Sequence, residues 1–432
     1  MLRVFRRIPS LRRPAHKVPA FPALLFAAIC ATGVQAAPVG GDRVFEQSAN
    51  AAVARVARED GFSGAILVAR GDQILLRRAA GFADRARKIR NTPDTKFRIE
   101  SITKQFTAAA ILLLVEDGKL ALSDPIAKYY SDIPQSWRGI TIAELLTHGS
   151  GIVDCGCSPR QDSHSYEDFI LDAEAEALAF KPGTDYLYSN AGYALLTAAV
   201  ERASGESYTR FMRRRIFAPL GMRNTGSGSI PGDVVKGYIR SKSGGHDVWK
   251  NGITTDQSTF GGFGSIYSTL DDMLVWNRAL QGDKLLSAAS RKKMFTDYGH
   301  NYGFGWRFAS KLGRRLIWHT GAYPTAGFVS LLDSFPDDGV TVIALSNNSG
   351  LTDASATLTI GGKPTTFPAN ATRKLVDEIE GLYFTGTSAH LVGSHTCRRR
   401  SYCATASPKT TFPVSVSSRS SFLPPFVAID AK

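Results

Sequence analysis

The chain has 432 residues, 43% of them hydrophobic, and a net charge of +14. That is enough to bury a large core and, on length alone, to hold two or three domains. The charge sits at the ends: residues 1–36 carry six basic groups and no acid, residues 381–432 carry +5, and only +3 remains for the body. With no basic stripe to follow a phosphate backbone, nucleic-acid binding is excluded as a reading.

Residues 1–36 read as an export signal. Arg3, Arg6, Arg7, Arg12, Arg13 and Lys17 form a basic start, Phe21 to Val34 a short apolar run, and Val34-Gln35-Ala36 a small-x-small cleavage site before Ala37. The run is shorter than the ~20 residues of a membrane-spanning helix. The expectation is a cleaved leader and an exported protein, periplasmic or secreted, with no lasting membrane span. Four cysteines follow it: Cys155, Cys157, Cys397 and Cys403. Export permits disulfides, yet Cys-x-Cys is tight for an internal bridge. No His pair or Asp/Glu cluster accompanies either cysteine pair at ligand spacing, so neither a metal nor a cofactor is expected.

Residues 42–60 repeat apolar side chains at helical spacing, through Val44, Phe45, Ala52, Val53 and Val56. Residues 64–68 and 73–77 read as strands around an Arg70-Gly71-Asp72 turn. After the strand-like Phe97-Arg98-Ile99-Glu100, Ser101-Ile102-Thr103-Lys104 opens a long apolar helix that Gly118 stops. Ile111 to Val115 is apolar all round, so this helix is expected to be buried. A serine hydroxyl needs a base within hydrogen-bond reach to act as a nucleophile. Residues i and i+3 share a helix face, which places Lys104 one turn from Ser101. Ser290-Arg291-Lys292-Lys293 has the same pattern, but in a charged stretch that reads as a solvated helix end.

From 101 to about 285 the patterns are mostly helical, separated by Pro/Gly loops. One loop, from Lys181-Pro182-Gly183, ends in Tyr188-Ser189-Asn190 where an apolar helix begins. Strand signals return at 302–308, 315–319, 327–332 and 340–346, the last two flanking a Pro336-Asp337-Asp338-Gly339 turn. Strands at both ends with helices between predict an α/β (α+β) fold. One antiparallel sheet is built from both ends of the domain, flanked by helices, with an inserted helical subdomain. The Ser101 helix then lies at the seam, where clefts form. The domain is expected to span 37–355. Residues 356–432, rich in Ser, Thr, Arg and Pro without a period, are expected to be a disordered tail.

Ser101 with Lys104, Tyr188 with Asn190, and His319-Thr320-Gly321 follow one another in order. In this the chain resembles the class C β-lactamase and D-alanyl-D-alanine peptidase family, with its S-x-x-K, Y-x-N and [KH]-T-G elements. Leu145-Leu146-Thr147-His148-Gly149-Ser150-Gly151, Phe217-Ala218-Pro219-Leu220-Gly221-Met222 and Gly261-Gly262-Phe263-Gly264-Ser265 extend the likeness, which covers roughly residues 42 to 350. The resemblance implies a β-lactamase/transpeptidase-like fold and an acyl-serine hydrolase. Ser101 is then the nucleophile, Lys104 the base, and Tyr188 a proton relay to the leaving group. Asn190 holds a substrate amide, and His319, Thr320, Gly321 and Ala322 form the strand edge along which the substrate lies. The N–H groups of Ser101 and Ala322 would make an oxyanion hole.

Many lactamases of the family have Lys where His319 stands. A histidine is charged only below its pKa, ~6.5 when unperturbed, so carboxylate-bearing substrates are expected to favour mildly acidic pH. His148 is read as structural, because no G-x-S-x-G elbow exists to use it. The partner is a small molecule or peptide, related to D-alanyl peptides or β-lactams. The alternatives are an esterase, a D-amino-acid amidase, or a non-catalytic binder on the same fold.

Overall fold

Strand β1 (Gly64–Arg70) shows how the domain is layered. Its Ala65, Leu67 and Ala69 enter one apolar core while Ile66 and Val68 enter another. A strand buried on both faces reads as a continuous apolar run. The structure, a computed structural model, describes residues 40–154, 165–232, 235–243, 246–253, 256–360 and 363–386. The expected leader, the four cysteines and the chain beyond 386 lie outside the described residues.

The other strands of this sheet are β2 (Gln73–Ala80), β3 (Arg307–Lys311), β4 (Arg314–Tyr323), β5 (Phe328–Phe335), β6 (Val340–Ser346), β7 (Leu351–Ile360) and β8 (Lys363–Asn370). Their order is β8-β7-β3-β4-β5-β6-β1-β2, antiparallel throughout. The expected sheet made from both ends is thus present, closed where Gly64 pairs with Ser346. Helix α1 (Gly40–Glu59) and a later helix cover one face. The inserted helices lie on the other side: α2 (Thr103–Glu116), α3 (Ile142–Leu146) and α4 (Glu167–Glu174) pack on α5 (Asn190–Ser204), and α6 (Leu270–Gln281) packs on β6 and β1. Every side chain of α2 from Thr103 to Leu114 is buried. Phe106 stacks on Trp276 of α6 at 3.8 Å, and the Trp276 indole donates to Gln105 Oε1 at 3.0 Å. No helix among the described residues is long and apolar enough to cross a membrane.

Two expectations are corrected. The strand expected over 302–308 begins only at Arg307, because Gly305 (φ +76°) turns the chain against α2, where a Cβ would lie 2.8 Å from the Lys104 carbonyl. The domain also does not stop at 355. Strands β7 and β8 follow, then helix α7 (Ala371–Thr385), capped by Asn370 Oδ1, which accepts from the Arg373 N–H at 2.9 Å. Leu375, Val376 and Ile379 of α7 are buried beside α1. Their spacing is helical, but the polar, Thr-rich hairpin before them hides where the domain continues.

Ion pairs inside the protein tie α7 to the sheet. Arg373 donates to Asp333 Oδ2 of β5 at 2.8 Å, and Lys311 of β3 pairs with Asp377 and Glu380. Burial raises the Glu380 pKa while Lys311 opposes it, and the two cations face the carboxyl groups of Asp333, Asp377 and Glu380. Removing one partner of such a pair costs about 3–5 kcal/mol, whereas an exposed pair is worth about 0.2–1 kcal/mol. Arg373→Ala is therefore expected to lower the unfolding free energy by about 3–5 kcal/mol. Arg58→Ala, at the exposed Arg58–Glu59 pair, should change it by no more than about 1 kcal/mol. Urea unfolding monitored by circular dichroism measures both.

Candidate active site

The short strand Phe97–Arg98 pairs with Ile266–Ser268, and the chain then turns through a 3₁₀ turn, Glu100–Ile102, into α2. Glu100 takes φ +51°, a left-handed value that favours glycine. The helix start has Ile102 as its N-cap and no side-chain cap bond. Ser101 is thus not spent as a cap, and its hydroxyl meets Lys104. Strand β4 lies against this turn because residue 321 has no side chain. A Cβ there would stand 2.0 Å from the Ile99 carbonyl and 2.9 Å from Glu100 Cβ. Ser330 of β5 completes the seam, donating to the same Ile99 carbonyl at 2.6 Å.

Lys104 is fully buried. Its Nζ lies 3.2 Å from Ser101 Oγ, 2.8 Å from Asn190 Oδ1 and 3.2 Å from the Phe263 carbonyl. The rings of Tyr188, Tyr193 and Phe263 surround it at 4.7, 5.4 and 5.7 Å. Burial brings its pKa down from 10.5 to about 7; Asp154 pushes it back up, Arg307 pulls it down and Glu100 pushes it up. A substantial fraction of the amine is therefore neutral at physiological pH. An ammonium only donates, so Asn190 turns Oδ1 to it and keeps its NH₂ for the cavity that it lines.

Burial raises the Tyr188 phenol pKa well above the ordinary value, with Ser101 pulling the other way. The phenol stays protonated, so of the two groups next to Ser101 the lysine is the available base. The loop carrying it is held at Ser189, whose Oγ accepts from the Gly192 N–H at 3.0 Å and caps α5. His148 stands behind this loop. Its ring packs 4.3 Å from that of Tyr188, and Nδ1 accepts from the Ser189 N–H at 3.1 Å. With Nδ1 occupied and burial lowering its pKa far below 6.5, His148 holds the loop in place and has no lone pair for Ser101.

The charge expected of His319 is corrected. The residue is buried, its Nδ1 donating to the Thr320 carbonyl at 2.6 Å and its Nε2 accepting from the Tyr302 hydroxyl at 3.1 Å. Burial first, then Arg307 and Lys104, lower its pKa well below 6.5. It is neutral through the physiological range, and no switch near pH 6.5 follows from it. The fixed cation is Arg307, at the start of β3. Its guanidinium lies 5.4 Å from the rings of both Tyr188 and Tyr302 and 5.8 Å from Trp318. Among the described residues its charge is met by aromatic rings, not by a carboxylate.

A cavity of about 160 Å³ opens beside Ser101, lined also by Asn190, Ala322 and three acids, Glu100, Asp154 and Asp172. Phe169, Phe260, Phe263 and Tyr323 form its apolar walls. The fold brings Ser101, Lys104, Tyr188 and Asn190 into contact, with Gly321 and Ala322 alongside, while Thr320 is half-buried next to His319. The sequence reading missed Asp154, Arg307, Glu100 and the Phe263 carbonyl. Only the Gly261–Ser265 stretch signalled any of them, through its family likeness.

The family described as Beta-lactamase matches residues 49–360. The penicillin-binding protein named PbpX of Bacillus subtilis (strain 168) is 32% identical over 69% of this chain and 74% of its own length. A D-aminopeptidase of Brucella canis is 30% identical over 61% of this chain, which spans about half (52%) of that relative's length. A penicillin-binding protein from Bacillus halodurans superposes with a TM-score of 0.61 at 28% identity, covering 69% of this chain and 94% of that one. Together with the arrangement around Ser101, these likenesses show that the chain belongs to the β-lactamase family of serine hydrolases.

Proposed function

We propose that the protein is an exported hydrolase that cleaves D-alanyl peptides or related acyl compounds through an acyl-enzyme on Ser101. The observation that carries this reading is the buried Lys104 amine, with a pKa of about 7, 3.2 Å from Ser101 Oγ. Neutral Lys104 takes the Ser101 proton as Oγ attacks the carbonyl carbon. The oxyanion is met by the N–H groups of Ser101 and Ala322. The carbon–nitrogen bond breaks as Tyr188 gives its proton to the leaving nitrogen, and Lys104 returns the proton to Tyr188. Water then attacks the ester, regenerating Ser101 and releasing the acid. Export rests on the basic, apolar and small-residue order of residues 1–36.

Arg307, next to Tyr188, supports a leaving group that ends in a carboxylate, as the terminal D-alanine of such a peptide does. A guanidinium keeps its charge at any physiological pH, so it serves where a neutral His319 does not. A second reading, cleavage of D-amino-acid amides that carry a free ammonium, is favoured by the acids lining the cavity beside Ser101. The Brucella relative named D-aminopeptidase agrees with it.

Three outcomes are expected. Ser101→Ala abolishes covalent labelling by a fluorescent penicillin or fluorophosphonate, seen by intact mass, while Ser150→Ala and Ser290→Ala keep it. The acylation rate rises with pH through a midpoint near 7, as Lys104 loses its proton, and Lys104→Met lowers it by about 10²–10⁴-fold, the usual worth of a general base. Arg307→Gln raises KM for a D-Ala-D-Ala peptide about tenfold or more, the worth of a charge-assisted hydrogen bond. At about pH 9, well above the Lys104 midpoint near 7 so that the base is neutral with or without the Arg307 charge, hydrolysis of a neutral p-nitrophenyl ester by the same variant stays within about twofold of wild type; equal losses on both substrates at that pH would remove Arg307 from carboxylate recognition.

A further inference from the structure

The residues that follow His148 and those that follow Tyr188 are zipped together by one side chain. Asp154 Oδ1 accepts from Ser189 Oγ at 2.9 Å and from the Ala191 N–H at 3.0 Å, and its Oδ2 accepts from the Asn190 N–H at 2.8 Å. Main-chain bonds run alongside, from the Leu187 N–H to the His148 carbonyl at 3.0 Å and from Gly183 to Gly149 at 2.8 Å. A helix start offers unsatisfied N–H groups and partial positive charge, and a carboxylate satisfies both. Here a second residue does what a cap does, from outside the helix: Ser189 caps α5, and Asp154 fixes Ser189, Asn190 and Ala191 at once.

The consequence falls on Lys104. Asn190 is the first residue of α5, and its Oδ1 is the shortest contact of the amine, at 2.8 Å. Rotating the helix start moves that oxygen, and with it the direction in which Nζ points at Ser101. We propose that Asp154 is a positioning residue for acylation: its carboxylate sets Asn190 against Lys104, and its charge acts on that amine. The proposal rests on the acyl-serine reading above. Asp154 leads the charged groups that favour the ammonium form of Lys104, with Glu100 beside it and Arg307 opposing. The remaining groups around the amine are uncharged at neutral pH: His148, His319, Tyr188 and Tyr193. Asp154 and Glu100 are thus the acids that act on it.

The test is the rate of acylation by a fluorescent penicillin or fluorophosphonate between about pH 5.5 and 9, a range that spans the Lys104 midpoint near 7. It is measured for wild type, Asp154→Asn and Asp154→Glu, with melting curves as the folding control. In Asp154→Asn an NH₂ faces a backbone N–H and the charge is gone. Acylation should slow about 100-fold, the cost of a misplacement of about 1 Å, and the midpoint should move to lower pH. Asp154→Glu keeps the charge but displaces it by a methylene, so the rate should fall while the midpoint stays with wild type. A midpoint unmoved in Asp154→Asn, or a wild-type rate in that variant, overturns the proposal. If Asp154→Asn does not fold, Asp154→Glu decides alone: a wild-type rate overturns it, and a slowed rate at an unmoved midpoint upholds it. Failure of the acyl-serine reading itself looks different, because wild type would then show no labelling that depends on Ser101.

Discussion

An amine kept from water is the constraint on which the site depends. Moving the Lys104 pKa from 10.5 to about 7 means that its ammonium is destabilised by about 5 kcal/mol relative to water, on the scale of 1.36 kcal/mol per unit. The fold carries that penalty at neutral pH and below. In return, a strong base beside Ser101 is available without a histidine. Each surrounding element contributes to the arrangement. Helix α2 is apolar so that Lys104 has no route to solvent, the Tyr188 and Tyr193 rings close two sides, and Asn190 and the Phe263 carbonyl give the amine acceptors. Two histidines nearby are left neutral by the same dryness, which is why neither competes for the role.

Close approach is the second requirement, and the sheet supplies it. The turn carrying Ser101 is pressed against β4 where residue 321 lacks a side chain, and Ser330 of β5 fastens the turn to the neighbouring strand. The strand edge and the nucleophile therefore keep one fixed spacing. That seam is held by the largest apolar cluster of the domain, from Phe97 and Ile102 to Leu332 and Leu345.

The two ends of the sheet and the buried helix were legible in the sequence because their apolar periods are strong: 64–68, 73–77 and 340–346 alternate or run without interruption, and α2 is apolar all round. The three family elements gave the contacts among Ser101, Lys104, Tyr188 and Asn190. The rest was hidden for physical reasons. Asp154 and Arg307 are ordinary surface residue types by composition, and only their three-dimensional neighbours give them meaning. His319 looked like a titrating group because a sequence carries no dielectric; burial removed its charge. The hairpin of β7 and β8 shows no apolar alternation, so α7 behind it, though well patterned at Leu375, Val376 and Ile379, falls within the expected tail.

Strand β1 lies between β2, its neighbour in the chain, and β6, which is made only near the end of the domain. Pairing of this kind, dominated by contacts far apart in sequence, forms slowly. Ser101 leaves the ribosome long before Gly321 and Ser330, and until those arrive its turn has the Ile266–Ser268 strand on one side but no seam with the sheet. Until Tyr188, Tyr193 and Phe263 enclose it, Lys104 is hydrated, its amine carries a proton as any free lysine does at neutral pH, and the serine beside it is chemically silent. The nascent chain is in this sense its own proenzyme: the base comes into being only when Asn190, Tyr188, Tyr193 and Phe263 have closed around the amine.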